Sequence, residues 1–286
     1  MRIPELYNQK KTVFSLEIFP PKKTTGVDKI YAAIDALSVI PADFISVTYR
    51  AGSENNHNFT CDIAKHIKQT YGTEPLAHFA CVNSTKEQVN TVIKQLKDNG
   101  IENVLALRGD INPNIPRVND FKHADQLARE IKHSSDMAIL GACHPEGHCD
   151  APNLGADIEN LKYKIGAGVE ALISQLFFDN DKFYTFMDRA HAKGIEVPVS
   201  AGIMPIVSTR LIEQTVTLSS ASVPHEFSKL LTLYEGDAQA LFDAGIDYAS
   251  RQIIDLIEND VQGIHLYTMN NPEVAKRIYE NVKSYL

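Results

Sequence analysis

A glutamate inside an apolar run is the first residue here that suggests chemistry: Glu17 sits in TVFSLEI (12–18). Desolvation in such a run should raise a carboxyl pKa and suit it to general acid duty near neutrality, although a buried salt bridge would use the same residue. Asp110 offers a contrast, because two residues beyond Arg108 it is expected to stay ionised beside the guanidinium. Two carboxyls whose surroundings push their protonation states apart are what an acid paired with an electrostatic stabiliser requires. More polar groups recur at the ends of apolar runs: Thr48 and Tyr49, His78, Arg108 with Gly109, His144 and His148, and Gln175. Packing alone would place Val, Ile and Leu at such positions. Any one of these groups could be a satisfied structural residue, but the set reads as a site.

Other patterns carry less. Cys143, His144, His148 and Cys149 bring soft donors close together, but Pro145 and Gly147 spoil helical presentation and no second ligand pair is obvious. No metal is expected. Gly166-Ala167-Gly168-Val169-Glu170-Ala171 matches a dinucleotide fingerprint, yet it follows a helical segment and precedes a strand, the reverse of the order that aims a helix N-terminus at a pyrophosphate. It reads as a turn between helix and strand.

The elements that must position these groups follow from hydrophobic pattern. Near-continuous apolar runs at 12–18, 43–49, 76–82, 102–108, 137–143, 171–178, 197–203 and 262–267 read as strands covered on both faces. Between them lie segments of helical period. At Ser84-Thr85-Lys86-Glu87 a capping box is expected to open a helix that carries Val89, Val92, Ile93 and Leu96 to Gly100. The alternation implies an α/β fold, a (β/α)8 TIM barrel, with residues 1–286 as a single domain. The last gap, 204–261, is about twice as long as the others, which predicts a helical insertion after strand seven, over the catalytic end.

Composition narrows the partners. The 286 residues carry 28 Lys and Arg against 36 Asp and Glu, a formal charge of -8, which would repel a polyanion and argues against nucleic acid. Four scattered cysteines do not make a disulfide framework. No stretch approaches the roughly 18 apolar residues of a membrane span, and the opening MRIPELYNQKK lacks the apolar core of a secretory signal. A cytoplasmic homo-oligomer, away from membranes, is expected.

Taken together, FSLEIFPPK (14–22), FISVTYRAGS (44–53), VLALRGD (104–110), HPEGH (144–148), SQLFFD (174–179), SAGIMPI (200–206) and GIHLYTMN (263–270) resemble methylenetetrahydrofolate reductase across essentially the whole chain. The resemblance implies a bound FAD that takes hydride from NADH or NADPH and, once the nicotinamide leaves, passes it to 5,10-methylenetetrahydrofolate, giving 5-methyltetrahydrofolate for one-carbon metabolism and methionine biosynthesis. It implies that Glu17 protonates N10 of the folate, that Asp110 tunes the flavin and stabilises the cationic intermediate, and that Thr48 and Gln175 join both in binding substrate. Flavin contacts would fall to Thr48, Tyr49, Ala51, His78, Arg108, Gly109, Asp110, Ala124, His144, His148, Ala151, Asp157, Asn160 and Lys164. This chain departs from better-known members at Arg50, His144 and Tyr163 near the flavin, and at Leu211 and Asn271 on the folate side. Three other readings stay open: a different flavin barrel or a member fed by a protein electron donor, a metal-dependent hydrolase built on the Cys143 to Cys149 cluster, and a non-catalytic binding protein. A flavin spectrum, reduction by NADH and metal analysis separate them.

Overall fold

Runs rich in Val, Ile, Leu and Phe become the strands β1 (Val13–Ile18), β2 (Phe44–Val47), β3 (Glu74–Ala80), β4 (Asn103–Leu107), β5 (Ala138–Cys143), β6 (Ala171–Ser174), β7 (Val199–Ile203) and β8 (Gly263–Tyr267). Each falls inside its expected run except β3, which starts earlier. All neighbours pair in parallel and the sheet closes on itself in the order β1-β2-β3-β4-β5-β6-β7-β8, with Ser15 opposite His265 across the closing seam. The computed structural model describes residues 1–21, 26–49, 59–110, 118–219 and 221–286.

Helices α1 (Val27–Leu37), α2 (Phe59–His66), α3 (Lys86–Asp98), α4 (Ala124–Ser134), α5 (Leu154–Gly166) and α6 (Asn180–Ala192) follow the first six strands in turn. Between β7 and β8 lie α7 (Thr209–Ser219), α8 (His225–Leu233) and α9 (Ala238–Glu258), and α10 (Pro272–Val282) comes last. Among the described residues no helix is long and apolar enough to cross a membrane.

The capping box of α3 sits one residue later than the sequence suggests. Thr85, not Ser84, is the N-cap: its hydroxyl accepts from Gln88 N at 3.2 Å while Gln88 Oε1 accepts from Thr85 N at 2.8 Å. Either Ser84 with Glu87 or Thr85 with Gln88 satisfies the motif, and starting at Lys86 is what puts Val89, Ile93 and Leu96 into the core. The fingerprint-like Gly166–Ala171 segment is indeed a turn from α5 into β6, with Gly168 at φ +109°, a conformation that suits glycine.

Side chains alternate across each strand, and the two faces have different fates. The outward set, including Phe14, Leu16, Ile18, Ile45, Val104, Ile139, Leu172, Ile264 and Leu266, joins the helices in one large core. The inward set is split by height. Low in the barrel, Val13, Phe44, Leu76, Leu105, Leu140, Ala171 and Ile173 form a separate apolar core with Ile3 and Leu6 of a 3₁₀ turn, Ile3–Asn8, that stoppers the N-terminal end. The turn is tied down by Arg2, which donates to both Glu170 carboxylate oxygens at 2.6 and 2.7 Å, and by the Ile3 N–H on Asn103 Oδ1 at 2.7 Å. A third cluster, with Leu176, Phe178, Met204, Ile206, Ile212 and Phe227, packs α7, α8 and α9 over the segments that leave β6 and β7. Ser222 N donates to the Glu146 carboxylate at 3.0 Å, tying this region to the loop after β5.

Candidate active site

Above the apolar stopper the inward positions turn polar, and a cavity of about 790 Å³ opens at the C-terminal ends of β2 to β6. Its size lies in the range of cofactor sites, about 300–1,000 Å³. Thr48 and Tyr49 follow β2, His78 stands on β3, and Arg108, Gly109 and Asp110 leave β4. Ala124 comes from the first turn of α4, His144, His148 and Ala151 from the loop after β5, Asp157, Asn160 and Lys164 from α5, and Gln175 from the end of β6. Segments far apart in sequence thus bring together nearly every residue singled out above. Ala51, like Arg50, lies outside the described residues.

Gly109 is required by its surroundings. Its φ is +86°, and a Cβ there would stand 2.8 Å from Ala80 Cβ and 2.9 Å from Val82 Cγ1. The backbone between Arg108 and Asp110 therefore turns where no larger residue fits.

The cavity wall carries two cations, Arg108 and Lys164, four carboxyl side chains, Asp110, Asp125, Asp150 and Asp157, and the imidazoles of His78 and His144. Burial, followed by Lys164, His148 and Arg108, pushes His144 down to about 3, and burial pushes His78 down to about 4 in spite of Glu17. Both are uncharged near neutrality and act as hydrogen-bonding groups. The 3.5 Å approach of His78 Nε2 to Glu17 Oε2 is therefore not an ion pair, and among the described residues Nε2 has no hydrogen-bond partner. The residue lines the cavity, while Nε2 itself is buried on the side of Glu17. The cations are Arg108 and Lys164. Lys164 Nζ donates to the Ala142 carbonyl at 2.7 Å, and burial lowers its pKa.

One expected pairing is not found among the described residues. Arg108 Nη1 bonds Asp150 Oδ2 at 2.5 Å, whereas Asp110 stands exposed at the rim. The tight backbone turn at Gly109 separates the neighbours in sequence, and the loop after β5 brings Asp150 to the guanidinium instead. The soft donors also separate. Cys143 lies on the buried outward face, its thiol pushed up to about 12 by burial. His148, Cys149 and Asp150 do have donor atoms within 4.8 Å of one another, but Asp150 is engaged by Arg108. Asp157 orders this loop by accepting from His148 N at 3.0 Å.

Glu17 sits beside the cavity, one layer deeper. It is 5% exposed on the inner face of β1, with His265 Nε2 3.4 Å and His78 Nε2 3.5 Å from Oε2, and its carbonyl accepts from Thr268 Oγ1 at 2.6 Å. His265, Ser15 and Ser46 complete this buried polar group, and none was singled out from the sequence. A period-two reading would have found them, since Ser15 and Glu17, and likewise His265 and Tyr267, are alternate residues of one strand. On the folate side of the resemblance, Asn271 proves to be the N-cap of α10, accepting from Glu273 N at 3.1 Å, and Leu211 packs in the cluster over β6 and β7.

Residues 2–283 match the profile of the methylenetetrahydrofolate reductase family. A Pectobacterium carotovorum subsp. carotovorum protein named 5,10-methylenetetrahydrofolate reductase is 32% identical over 264 residues, covering 92% of this chain and 88% of its own. An Oryza sativa subsp. japonica protein named probable methylenetetrahydrofolate reductase (NADH) is 30% identical over 296 residues, covering 98% of this chain and 50% of its own. A solved Clostridium thermocellum structure, described as an uncharacterized protein that binds two copies of 5-methyl-5,6,7,8-tetrahydrofolic acid, has a TM-score of 0.66 at 12% identity, covering 100% of this chain and 99% of its own. At that identity the likeness is one of fold alone.

Proposed function

Since the chain belongs to the methylenetetrahydrofolate reductase family, we propose that it reduces 5,10-methylenetetrahydrofolate to 5-methyltetrahydrofolate with FAD held in the cavity and NADH or NADPH as electron donor. The observation that carries the cofactor assignment is the cavity at the C-terminal strand ends, with the two cations Arg108 and Lys164 on its wall. When bound there, FAD supplies the capacity to accept a hydride from one substrate and yield it to another.

The residues present fit that group. Arg108 and Lys164 offset the pyrophosphate charge that a chain of net charge -8 would otherwise repel. Thr48, Tyr49, His78, His144, His148, Asp157 and Asn160 supply the rest of the polar wall. The relative named as an NADH enzyme supports a nicotinamide donor. Glu17 gives a proton to N10 of the folate, which opens the methylene bridge, Asp110 at the rim offers negative charge to the cation so formed, and Gln175 orients the substrate. The whole of 1–286 serves as one catalytic domain, and nicotinamide and folate take turns beside the cofactor.

The test is direct. Acid or heat precipitation of the purified protein should release free FAD in near-stoichiometric amount; FMN alone, or no flavin after incubation with FAD, would overturn the assignment. A finer expectation concerns Asp150. Its pair with Arg108 is half-exposed and has to be exchanged for the cofactor phosphates, so Asp150→Asn should tighten FAD about three- to tenfold, the scale of one solvent-screened ion pair. Titration of apoprotein with FAD, followed by fluorescence quenching, checks it; weaker binding by the variant would show that Asp150 helps to hold the cofactor.

A further inference from the structure

The chain bends sharply where β8 ends. Met269 and Asn270, two successive non-glycine residues, stand at φ +50° and +55°, in the left-handed region that asparagine tolerates and methionine rarely visits. A backbone held this way persists only where its neighbours over-determine it, and such residues gather at functional sites. The supports here come from Thr268, 1% exposed: its Oγ1 accepts from Asn270 N at 3.1 Å and its carbonyl accepts from Asn271 N at 2.9 Å. The turn returns the Asn270 side chain to β1. Its Oδ1 accepts from Phe19 N at 2.8 Å, and its Nδ2 donates to the Phe19 carbonyl at 2.9 Å. A backbone N–H can only donate and a carbonyl can only accept, so the two contacts fix which end of the carboxamide is which.

This clamp takes over where the sheet stops. Backbone pairing of β8 with β1 runs to Glu17 opposite Tyr267 and closes with Thr268 N on the Glu17 carbonyl at 3.3 Å, to which Thr268 Oγ1 also donates at 2.6 Å. On the other side, Thr48 N donates to the Ile18 carbonyl at 3.0 Å. Phe19 is the next residue, and Pro20 and Pro21 after it have no N–H to give. Phe19 therefore offers the last backbone N–H before residue 22, and Asn270 holds both that N–H and the carbonyl of the same residue. We infer that Asn270 is a positioning residue for Glu17: by gripping Phe19 it fixes the end of β1 and sets the depth at which the Glu17 carboxyl meets the substrate. The inference rests on the reading of Glu17 as the acid. Glu17 is the penultimate residue of β1, so its placement depends on how firmly the strand end is held. A misplacement of about 1 Å can cost about 10²-fold in rate. Because a side chain supplies the grip, the β8 backbone is free to turn away into α10, which Asn271 caps.

The experiment separates the turn from the clamp. Asn270→Gly keeps the left-handed turn, which glycine adopts freely, and removes only the carboxamide. Asn270→Asp keeps an acceptor for Phe19 N but sets a carboxylate oxygen against the Phe19 carbonyl. In prereduced holoenzyme, oxidation by 5,10-methylenetetrahydrofolate should slow about tenfold in Asn270→Gly and at least as much in Asn270→Asp, while flavin reduction by NADH or NADPH stays within about twofold of wild type. Each substitution is then combined with Glu17→Gln. If Asn270 acts through the Glu17 carboxyl, its loss should slow the folate half-reaction by less than about twofold in that background, where no acid is left to misplace. Equal slowing in both backgrounds, equal slowing of both half-reactions, or an unchanged folate rate in Asn270→Gly would make Asn270 merely structural and overturn the inference. Should Asn270→Gly fail to retain flavin, Asn270→Asp is read through the same cycle. Glu17→Gln alone tests the premise: if it keeps the folate half-reaction, the reading of Glu17 fails, whereas if it loses that reaction and the two substitutions act additively, only the present inference fails.

Discussion

Glu17→Gln should lower folate reduction by roughly 10²-fold or more while leaving flavin reduction by NADH or NADPH within about tenfold of wild type, the size expected for loss of a general acid. The variant is nearly isosteric, so the hydrogen bonds around it can be kept with an amide. It has no proton to give to N10. Transfer of hydride from the nicotinamide needs no proton from a side chain on the folate side, and so the half-reactions should part company. Stopped-flow absorbance at the flavin band reads both in separate experiments. Equal slowing of the two, or of neither, would make the strand-one carboxyl structural and send the search for the acid elsewhere in the barrel mouth.

The second large effect belongs to Lys164. Replacing it with methionine keeps an unbranched apolar side chain but removes the ammonium, and the FAD dissociation constant should rise about 10²-fold, or about 2.7 kcal/mol, in line with loss of a charge-assisted contact to phosphate. The buried ammonium already suffers desolvation, which lowers its pKa, and its protein hydrogen bond is to a neutral carbonyl. An incoming anion is the partner that would repay that cost. Calorimetric titration of the apoprotein measures the change; an unaltered affinity would place the phosphates away from α5 and leave Arg108 as their main counter-charge.

The scaffold was more legible in the sequence than the contacts made on it. Strands announce themselves because they are buried on both faces and read as unbroken apolar runs, so all eight were visible from Val13 to Tyr267. Polar residues at the strand ends pointed to the mouth because hydrophobic packing gives no reason for them. The pairing of Arg108 could not be read from adjacency, because the turn at Gly109 aims Asp110 away and a loop from another unit delivers Asp150. The His265 group was hidden for a different reason. Glu17 stood out as a charge in an apolar run, but the serines and the histidine that bond to it or to one another are individually unremarkable, and only barrel closure brings β8 beside β1. Caps behaved similarly: Thr85 and Ser84 offer the same local chemistry, and tertiary burial of Val89 decides between them.

The stopper at the base of the barrel makes the molecule a cup rather than a pipe. Ile3 and Leu6 plug the lower lumen and Tyr7 closes it further through its 2.8 Å contact with Ser200, so among the described residues the cavity beside Glu17 is approached from the C-terminal rim. A vessel with one opening imposes a queue. If Glu17 is the acid proposed above, a folate seated over it stands between the carboxyl and the rim, and the proton spent is replaced once that folate has left.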